Sequence, residues 1–216
     1  VIDYLLFDLD NTLYPASCGL GLEMNRRMSV FVAEYLNVDI SVADELRSGA
    51  RERYGTTLGW LRAEHSLEDV DPYMDAVHPA DLSPWITDAH AEEAQSVLDE
   101  IDLPAAILTN GPREHAERVL DRLGIGRRFD RLFDLRENNF EGKPAVAAYR
   151  RALDELAIRP ESTLFVDDMV QYLLPFRDLG GMVVHMGAPG SAAHQIPVIG
   201  TLRDLLHIIY PKGSRG

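Results

Sequence analysis

The chain has 216 residues and a single cysteine, Cys18. One thiol cannot close an internal disulfide, and thiolate metal centres need several, so disulfide scaffolds and cysteine-built zinc sites are excluded. The expected setting is the reducing cytoplasm, with Cys18 as a small apolar filler. No run approaches the roughly 18 uncharged apolar residues of a membrane span. No basic stretch leads into an apolar run and a small-residue cleavage site, so nothing reads as an export signal. Positive charge is scarce: 21 Lys and Arg stand against 35 Asp and Glu, a formal net charge of -14. Such a field repels nucleic-acid polymers, and no basic stripe offsets it. It does not forbid a small anionic substrate, because one lysine and a divalent cation can reverse the sign locally. Repeats and low-complexity segments are lacking, apart from a polar end at 211–216 that is expected to fray. No G-x-G-x-x-G follows the first apolar run, which argues against a dinucleotide-dependent oxidoreductase.

What is present is an ordinary globular composition, 46% hydrophobic and 26% charged, enough for one large domain or a core carrying an insert. Residues 2–7 form a short apolar run ending at an acidic stretch, the pattern of a buried strand that opens onto a polar loop. From about residue 18 to 78 the chain reads as helical, with Met24, Met28, Phe31, Val32 and Tyr35 at helical spacing. Shorter helical pieces are expected near 57–65 and 69–78, before Pro79 and Pro84 punctuate the chain. Helices and strands then alternate. Helices are expected at 88–101, at 112–123 with Gly124 as its cap, from Pro144 through Ala157, and at 170–179 with Pro175 as a kink or early break. Strands are expected at 104–110, Phe129–Leu135, Thr163–Val166 and Met182–Met186. Alternation of this kind predicts a Rossmann-like α/β fold, an open parallel sheet with helices on both faces. Residues 1–15 and 85–216 would form this core, and 16–84 an inserted helical cap.

Four polar clusters follow four of these core elements: Asp8-Leu9-Asp10-Asn11-Thr12, Thr109-Asn110-Gly111, Lys143-Pro144 and Asp167-Asp168. Each alone reads as a turn or a solvated pair. In this order, at strand ends and loops, they suit phosphoryl transfer. A carboxylate can act as nucleophile and split one difficult displacement into two easier ones. Clustered carboxylates need a cation, and a hard, oxygen-bound ion such as magnesium suits them. A hydroxyl, backbone N–H groups and a lysine ammonium can hold the remaining phosphate oxygens. A second carboxylate two residues beyond the first, on the same side of an extended strand end, can exchange protons with the leaving group and the attacking water.

With these residues the chain resembles the haloacid dehalogenase superfamily, in its pyrimidine 5'-nucleotidase-like branch. Asp8–Pro15 (DLDNTLYP), Thr109–Gly111, Lys143 and Asp167-Asp168 match the superfamily motifs. The stretches YGTTLGWL (54–61), HAERVLDRLGI (115–125) and FVDD (165–168) carry the branch's wording. The resemblance implies Asp8 as nucleophile and Asp10 as general acid and base. Thr109 and the backbone around Asn110 would bind phosphate, and Lys143 would steady nucleophile and phosphate. Magnesium (Mg2+) would be held by the Asp8 carboxylate, the Asp10 main-chain carbonyl and Asp168, with Asp167 behind them. The helical insert would be a mobile cap that selects substrate. The superfamily's dehalogenases lack the second Asp, so Asp10 points to phosphate chemistry.

Two positions depart from the branch pattern: Met169 and Tyr172 stand where a small Ser and an Asn are usual. The expected activity is magnesium-dependent hydrolysis of a phosphomonoester, with a nucleoside 5'-monophosphate as first substrate. The alternatives are a sugar phosphate or another small phosphometabolite, or a binding or regulatory domain whose turnover these two residues have weakened. The expected partner is a small phosphorylated metabolite, with no nucleic-acid polymer and no membrane, and the protein itself is expected to be a monomer or homodimer. His115 is expected on a solvated helix face, and Trp60 in the packed interior of the insert.

Overall fold

The computed structural model describes residues 1–188, 190 and 195–211. The chain divides into two compact units, Val1–Cys18 with Ser83–Gly216, and Gly19–Leu82. The elements run in the order β1 (Tyr4–Phe7), α1 (Leu20–Leu36), α2 (Ile40–Tyr54), α3 (Thr57–Glu64), α4 (Asp71–Val77), α5 (Asp88–Asp99), β2 (Ala105–Leu108), α6 (Arg113–Leu123), β3 (Arg131–Phe133), α7 (Val146–Leu156), β4 (Thr163–Asp167), α8 (Val170–Asp178), β5 (Met182–Met186), β6 (Val198–Ile199) and α9 (Leu205–Ile209). No described helix is long and apolar enough to cross a membrane.

The first unit is built on a six-stranded sheet of order β3-β2-β1-β4-β5-β6, with every neighbouring pair parallel. Its centre is β1, where Leu6 pairs with Ala106 on one side and Phe165 on the other. Residues buried on both faces need no polar alternation, which is why Tyr4, Leu5, Leu6 and Phe7 run unbroken and all four are buried. Each fully buried side chain of this size contributes about 1.5–3 kcal/mol. Crossovers run outward from β1 in opposite directions along the sheet. Right-handedness therefore places the helices of the two halves on opposite faces, as the sequence leads one to expect. On one face α7 and α8 bring Tyr149, Ala152, Leu173 and Phe176 onto Leu6, Leu108 and Phe165.

Several expected boundaries move, each for a local reason. Pro144 does not open α7: the Lys143–Pro144 pair lies in a turn closed by the Ala145 N–H on the Gly142 carbonyl, and the helix starts at Val146. The strand expected over Phe129–Leu135 shrinks to Arg131–Phe133. Asp134 ends it, its carboxylate accepting the backbone N–H of Arg113 at 3.1 Å and of Glu137 at 2.9 Å. Pro175 does not break α8, which continues to Asp178 because Leu173 and Phe176 are both fully buried and hold its face to the sheet. The short β6 and α9 carry no strong periodicity and were not expected. Of the end expected to fray at 211–216, only Pro211 lies among the described residues.

The second unit contains α1 to α4. Within it Phe31 stacks on Tyr35 at 5.8 Å and meets Tyr73 edge-on at 5.1 Å. Trp60 is buried, as expected, and its indole N–H donates to Glu64. The buried Arg47 guanidinium donates to the Asn25 carbonyl and side chain and to Thr57 Oγ1, joining α1, α2 and α3.

Candidate active site

The polar clusters stand where parallel strands end. Asp8 follows β1, Thr109 follows β2, and Asp167 closes β4 with Asp168 next to it. Strand order reverses at β1 and β4, and in open sheets such a switch point leaves a crevice beyond the carboxyl ends. The Asp8 N–H donates to the Val166 carbonyl at 2.8 Å, which fixes the nucleophile candidate's backbone to β4.

Lys143 enters from the loop before α7 and is almost fully buried. Its Nζ donates to Asp8 Oδ1 at 2.7 Å and to Asp167 Oδ2 at 2.6 Å. Burial opposes its charge, but the carboxylates of Asp167 and Asp8 outweigh that and raise the ammonium pKa. Burial pushes both Asp8 and Asp167 up, against the pull of Lys143. Asp168, to which Asn11 Nδ2 donates at 3.1 Å, is pushed up to about 7 by burial and by the neighbouring Asp8 charge.

Three carboxylates that resist ionising together could hold a hard cation. One oxygen from each of Asp8, Asp167 and Asp168 lies within 4.8 Å of the others. Ligands of an octahedral magnesium at about 2.1 Å lie about 3 Å apart in cis and about 4 Å in trans, so the cluster has the right size and an all-oxygen donor set. The Asn11 Oδ1 is buried and accepts no hydrogen bond among the described residues, which leaves a further oxygen lone pair beside Asp168.

The remaining expected residues surround this cluster. Thr109 is buried, and its Oγ1 accepts the Gly111 N–H at 3.0 Å. Asn110 donates from Nδ2 to the Lys143 carbonyl at 2.8 Å, so its side chain ties the β2 loop to the lysine loop. Asp10 differs from expectation in its backbone. The extended strand ends before it, because Asn11 adopts φ 58° and the Leu13 N–H returns to the Leu9 carbonyl at 3.0 Å. A turn, not strand alternation, therefore aims the Asp10 side chain.

His115 corrects a second expectation. It does not face solvent: it is fully buried, with Nε2 2.7 Å from Asp10 Oδ1. The signal was in the sequence, since His115 precedes Val119 by four and Leu123 by eight, the spacing of the buried face of α6. Tyr14 was overlooked as well; its hydroxyl donates to the same Asp10 oxygen at 2.6 Å.

The two departures from the branch pattern also find places. The Met169 backbone N–H donates to Asp167 Oδ1 at 2.7 Å, a bond that needs no particular side chain. The Tyr172 ring lies over Lys143, 5.3 Å from Nζ, and its carbonyl accepts the Tyr149 hydroxyl at 2.7 Å. A cavity of about 570 Å³ opens beside Asp168, lined among others by Asn11, Tyr14, His90, His185 and Leu202.

A crevice at the switch point of a parallel sheet, holding an acidic cluster and a buried lysine, stands where open α/β proteins bind their ligands. The chain belongs to the haloacid dehalogenase-like hydrolases, whose family model matches residues 2–171. It is 23% identical over 199 residues to the glyceraldehyde 3-phosphate phosphatase of Methanocaldococcus jannaschii, covering 86% of this chain and 85% of that one. The fold is also that of the HAD-hydrolase YfnB from Bacillus subtilis, solved with magnesium bound, at TM-score 0.64 and 18% identity over 97% of this chain and 99% of that one. The L-2-haloacid dehalogenase of Xanthobacter autotrophicus matches at TM-score 0.58 and 18% identity, over 98% and 100%. At such identities the two structures speak for the fold alone, and chemistry has to be argued from side chains.

Proposed function

We propose that this hydrolase is a magnesium-dependent phosphomonoesterase that works through an aspartyl-phosphate on Asp8. The observation that carries this reading is the grouping of Asp8, Asp167 and Asp168 around one small volume, with the buried Lys143 ammonium bonded to two of them. In the first half-reaction an Asp8 oxygen attacks phosphorus and the ester oxygen departs, taking a proton from Asp10. In the second, Asp10 removes a proton from water as it attacks the acyl-phosphate, releasing phosphate and restoring Asp8. Lys143 and the Thr109–Gly111 segment face the phosphate oxygens, and Lys143 keeps the Asp8 carboxylate in place. Asp8, Asp168 and the Asp10 carbonyl would hold magnesium, whose charge offsets that of the carboxylates and the phosphate. Asp10 favours phosphatase over dehalogenase chemistry, since carbon–halogen cleavage has no alkoxide to protonate.

For substrate, the branch-like wording at 54–61 and 115–125 supports a nucleoside 5'-monophosphate. A sugar phosphate is the second reading, supported by the triose phosphate named for the Methanocaldococcus relative. In both readings we take the helical unit Gly19–Leu82 as the substrate-selecting cap, which the sequence puts at 16–84. The test is phosphate release from nucleoside 5'-monophosphates, triose and hexose phosphates and an aryl phosphate, with and without magnesium. Parent protein should release phosphate only with the metal, and Asp8→Asn should release none while keeping its thermal transition. No release from any ester would overturn the reading and favour a binding domain; normal turnover by Asp8→Asn would overturn covalent catalysis.

A further inference from the structure

One oxygen of the Asp10 carboxylate is held twice. The Tyr14 hydroxyl donates to Oδ1 at 2.6 Å, and His115 Nε2 lies 2.7 Å from the same atom. The two partners come from distant parts of the chain. Tyr14 belongs to the turn after β1, and His115, 105 residues from Asp10, to the first turn of α6. Both are buried, Tyr14 at 2% exposure and His115 at 0%. Their polar tips are thus committed to this contact within the core unit.

We propose that Tyr14 and His115 are positioning residues that fix Oδ1 of Asp10, so that Oδ2 is the oxygen that exchanges the proton with substrate. The inference rests on the acid–base role given to Asp10 above. With the His115 proton on Nε2, the tautomer the proposal assigns, Oδ1 accepts from both a phenol and an imidazole and has no lone pair well placed for a proton. The acidic proton therefore resides on Oδ2. The surroundings of Oδ2 agree. A Cβ built on Gly111 would stand 3.8 Å from Asp10 Oδ2, 3.4 Å from Thr109 Oγ1 and 3.3 Å from His115 Cδ2. Oδ2 thus lies near the Thr109–Gly111 segment, to which the proposed mechanism assigns phosphate binding. A carboxyl free to rotate about its terminal torsion would present either oxygen in a broad range of poses. Two donors from separate elements restrict it to one, and acid–base catalysis depends on the proton lying within hydrogen-bond reach of its target.

The experiment compares parent, Tyr14→Phe, His115→Ala and His115→Gln on an alkyl and an aryl phosphomonoester in saturating magnesium. The quantity read is kcat/KM, which reports the phosphoryl-transfer half-reaction. An alkyl alcohol needs a proton as it leaves and a good aryl leaving group does not. Tyr14→Phe and His115→Ala should each lower alkyl kcat/KM by about tenfold or more and the aryl value by no more than about threefold. His115→Gln, which can return an amide N–H near the Nε2 position, should recover much of the alkyl loss. Equal losses on both esters, or no rescue by glutamine, would mean that the two residues only support the fold. An unchanged alkyl value in Tyr14→Phe would overturn the inference even if His115→Ala failed to fold, because that variant removes one oxygen and leaves the ring. Activity of the parent separates the two levels. An inert parent removes the acid–base reading and this inference with it, whereas an active parent with unaffected variants removes the inference alone.

Discussion

The ring of Tyr172 lies 5.3 Å from the Lys143 ammonium, on a lysine that already bonds Asp8 and Asp167. The Phe165 ring lies at the same distance from the same nitrogen. Aromatic faces attract a desolvated cation, so these rings help to keep Lys143 charged and in place. The residue that departs from the branch pattern thus contributes to the lysine side of the site.

Tyr172→Asn should therefore leave magnesium affinity within about twofold and lower stability by about 1–3 kcal/mol, through lost burial and lost cation–π attraction. For a domain of this size that is a fall in Tm of roughly 2–4 °C per kcal/mol. Magnesium titration and thermal unfolding of parent and variant check it. A gain in metal affinity or turnover in the variant would show that the ring obstructs the metal loop instead.

Lys143→Met should abolish phosphate release and destabilise the metal-free protein by about 3–5 kcal/mol, because two buried carboxylates lose their counter-charge. Magnesium should recover part of that stability by replacing the lost charge. Urea unfolding with and without magnesium measures both effects. Equal destabilisation in the two conditions would count against a metal at the Asp8, Asp167 and Asp168 cluster.

The pH dependence follows from Asp168, whose carboxyl is held up at about 7 against an ordinary 3.8 by burial and by Asp8. A raised carboxyl means that the folded state binds its proton more tightly than the unfolded chain does. The stability this contributes is complete below about pH 4 and is lost as pH rises through about 7. Metal-free protein should lose stability over that interval, and added magnesium should raise Tm more at pH 7.5 than at pH 5, since only the ionised cluster binds it. Zinc should substitute poorly, because the donors are all oxygen. A magnesium-induced rise in Tm that is the same at both pH values would contradict the assignment.

Gly142→Ala should damage the site from outside it. A Cβ there would stand 2.1 Å from Asn110 Oδ1 and 2.7 Å from Leu135 Cδ1, so the Asn110 side chain must move. Asn110 holds the Lys143 carbonyl, and the displacement should shift the lysine loop. Phosphate release should fall at least tenfold, since misplacement of about 1 Å can cost that and more. Asn110→Ala, which removes the same tie, should show a loss of the same kind. Full activity in both would mean that the tie does not position Lys143.

The parts of this molecule that could be read in the sequence are those written in local patterns. The run before Asp8 announces a strand buried on both faces, and four polar clusters in order announce the carboxyl ends of a parallel sheet. Lys143 carried almost no signal by itself, since a Lys-Pro pair is common, and it gained meaning only beside the other clusters. What stayed hidden depends on contacts between distant elements. The burial of His115 could be read from its spacing with Val119 and Leu123, but its partner Asp10 could not, because only the packing of α6 brings the two together. The aim of Asp10 was misjudged because a positive φ at Asn11 is a backbone choice that the residue type permits without requiring it. Pro144 fits a helix start as well as a turn, and the Gly142–Ala145 hydrogen bond decided between them.

The strand order has a consequence for when this site can come into being. β1 pairs with β2 and with β4, so the strand made first finds its second neighbour only after Asp167 has been added. Such a pairing closes a loop spanning most of the chain, the kind of non-local contact that slows folding. During synthesis Asp8 emerges 135 residues ahead of its lysine, and its acidic partners follow later still. A growing chain therefore carries half a sheet and no assembled acidic cluster until Asp168 has been added, and the cluster arrives together with the pairing of β1 and β4.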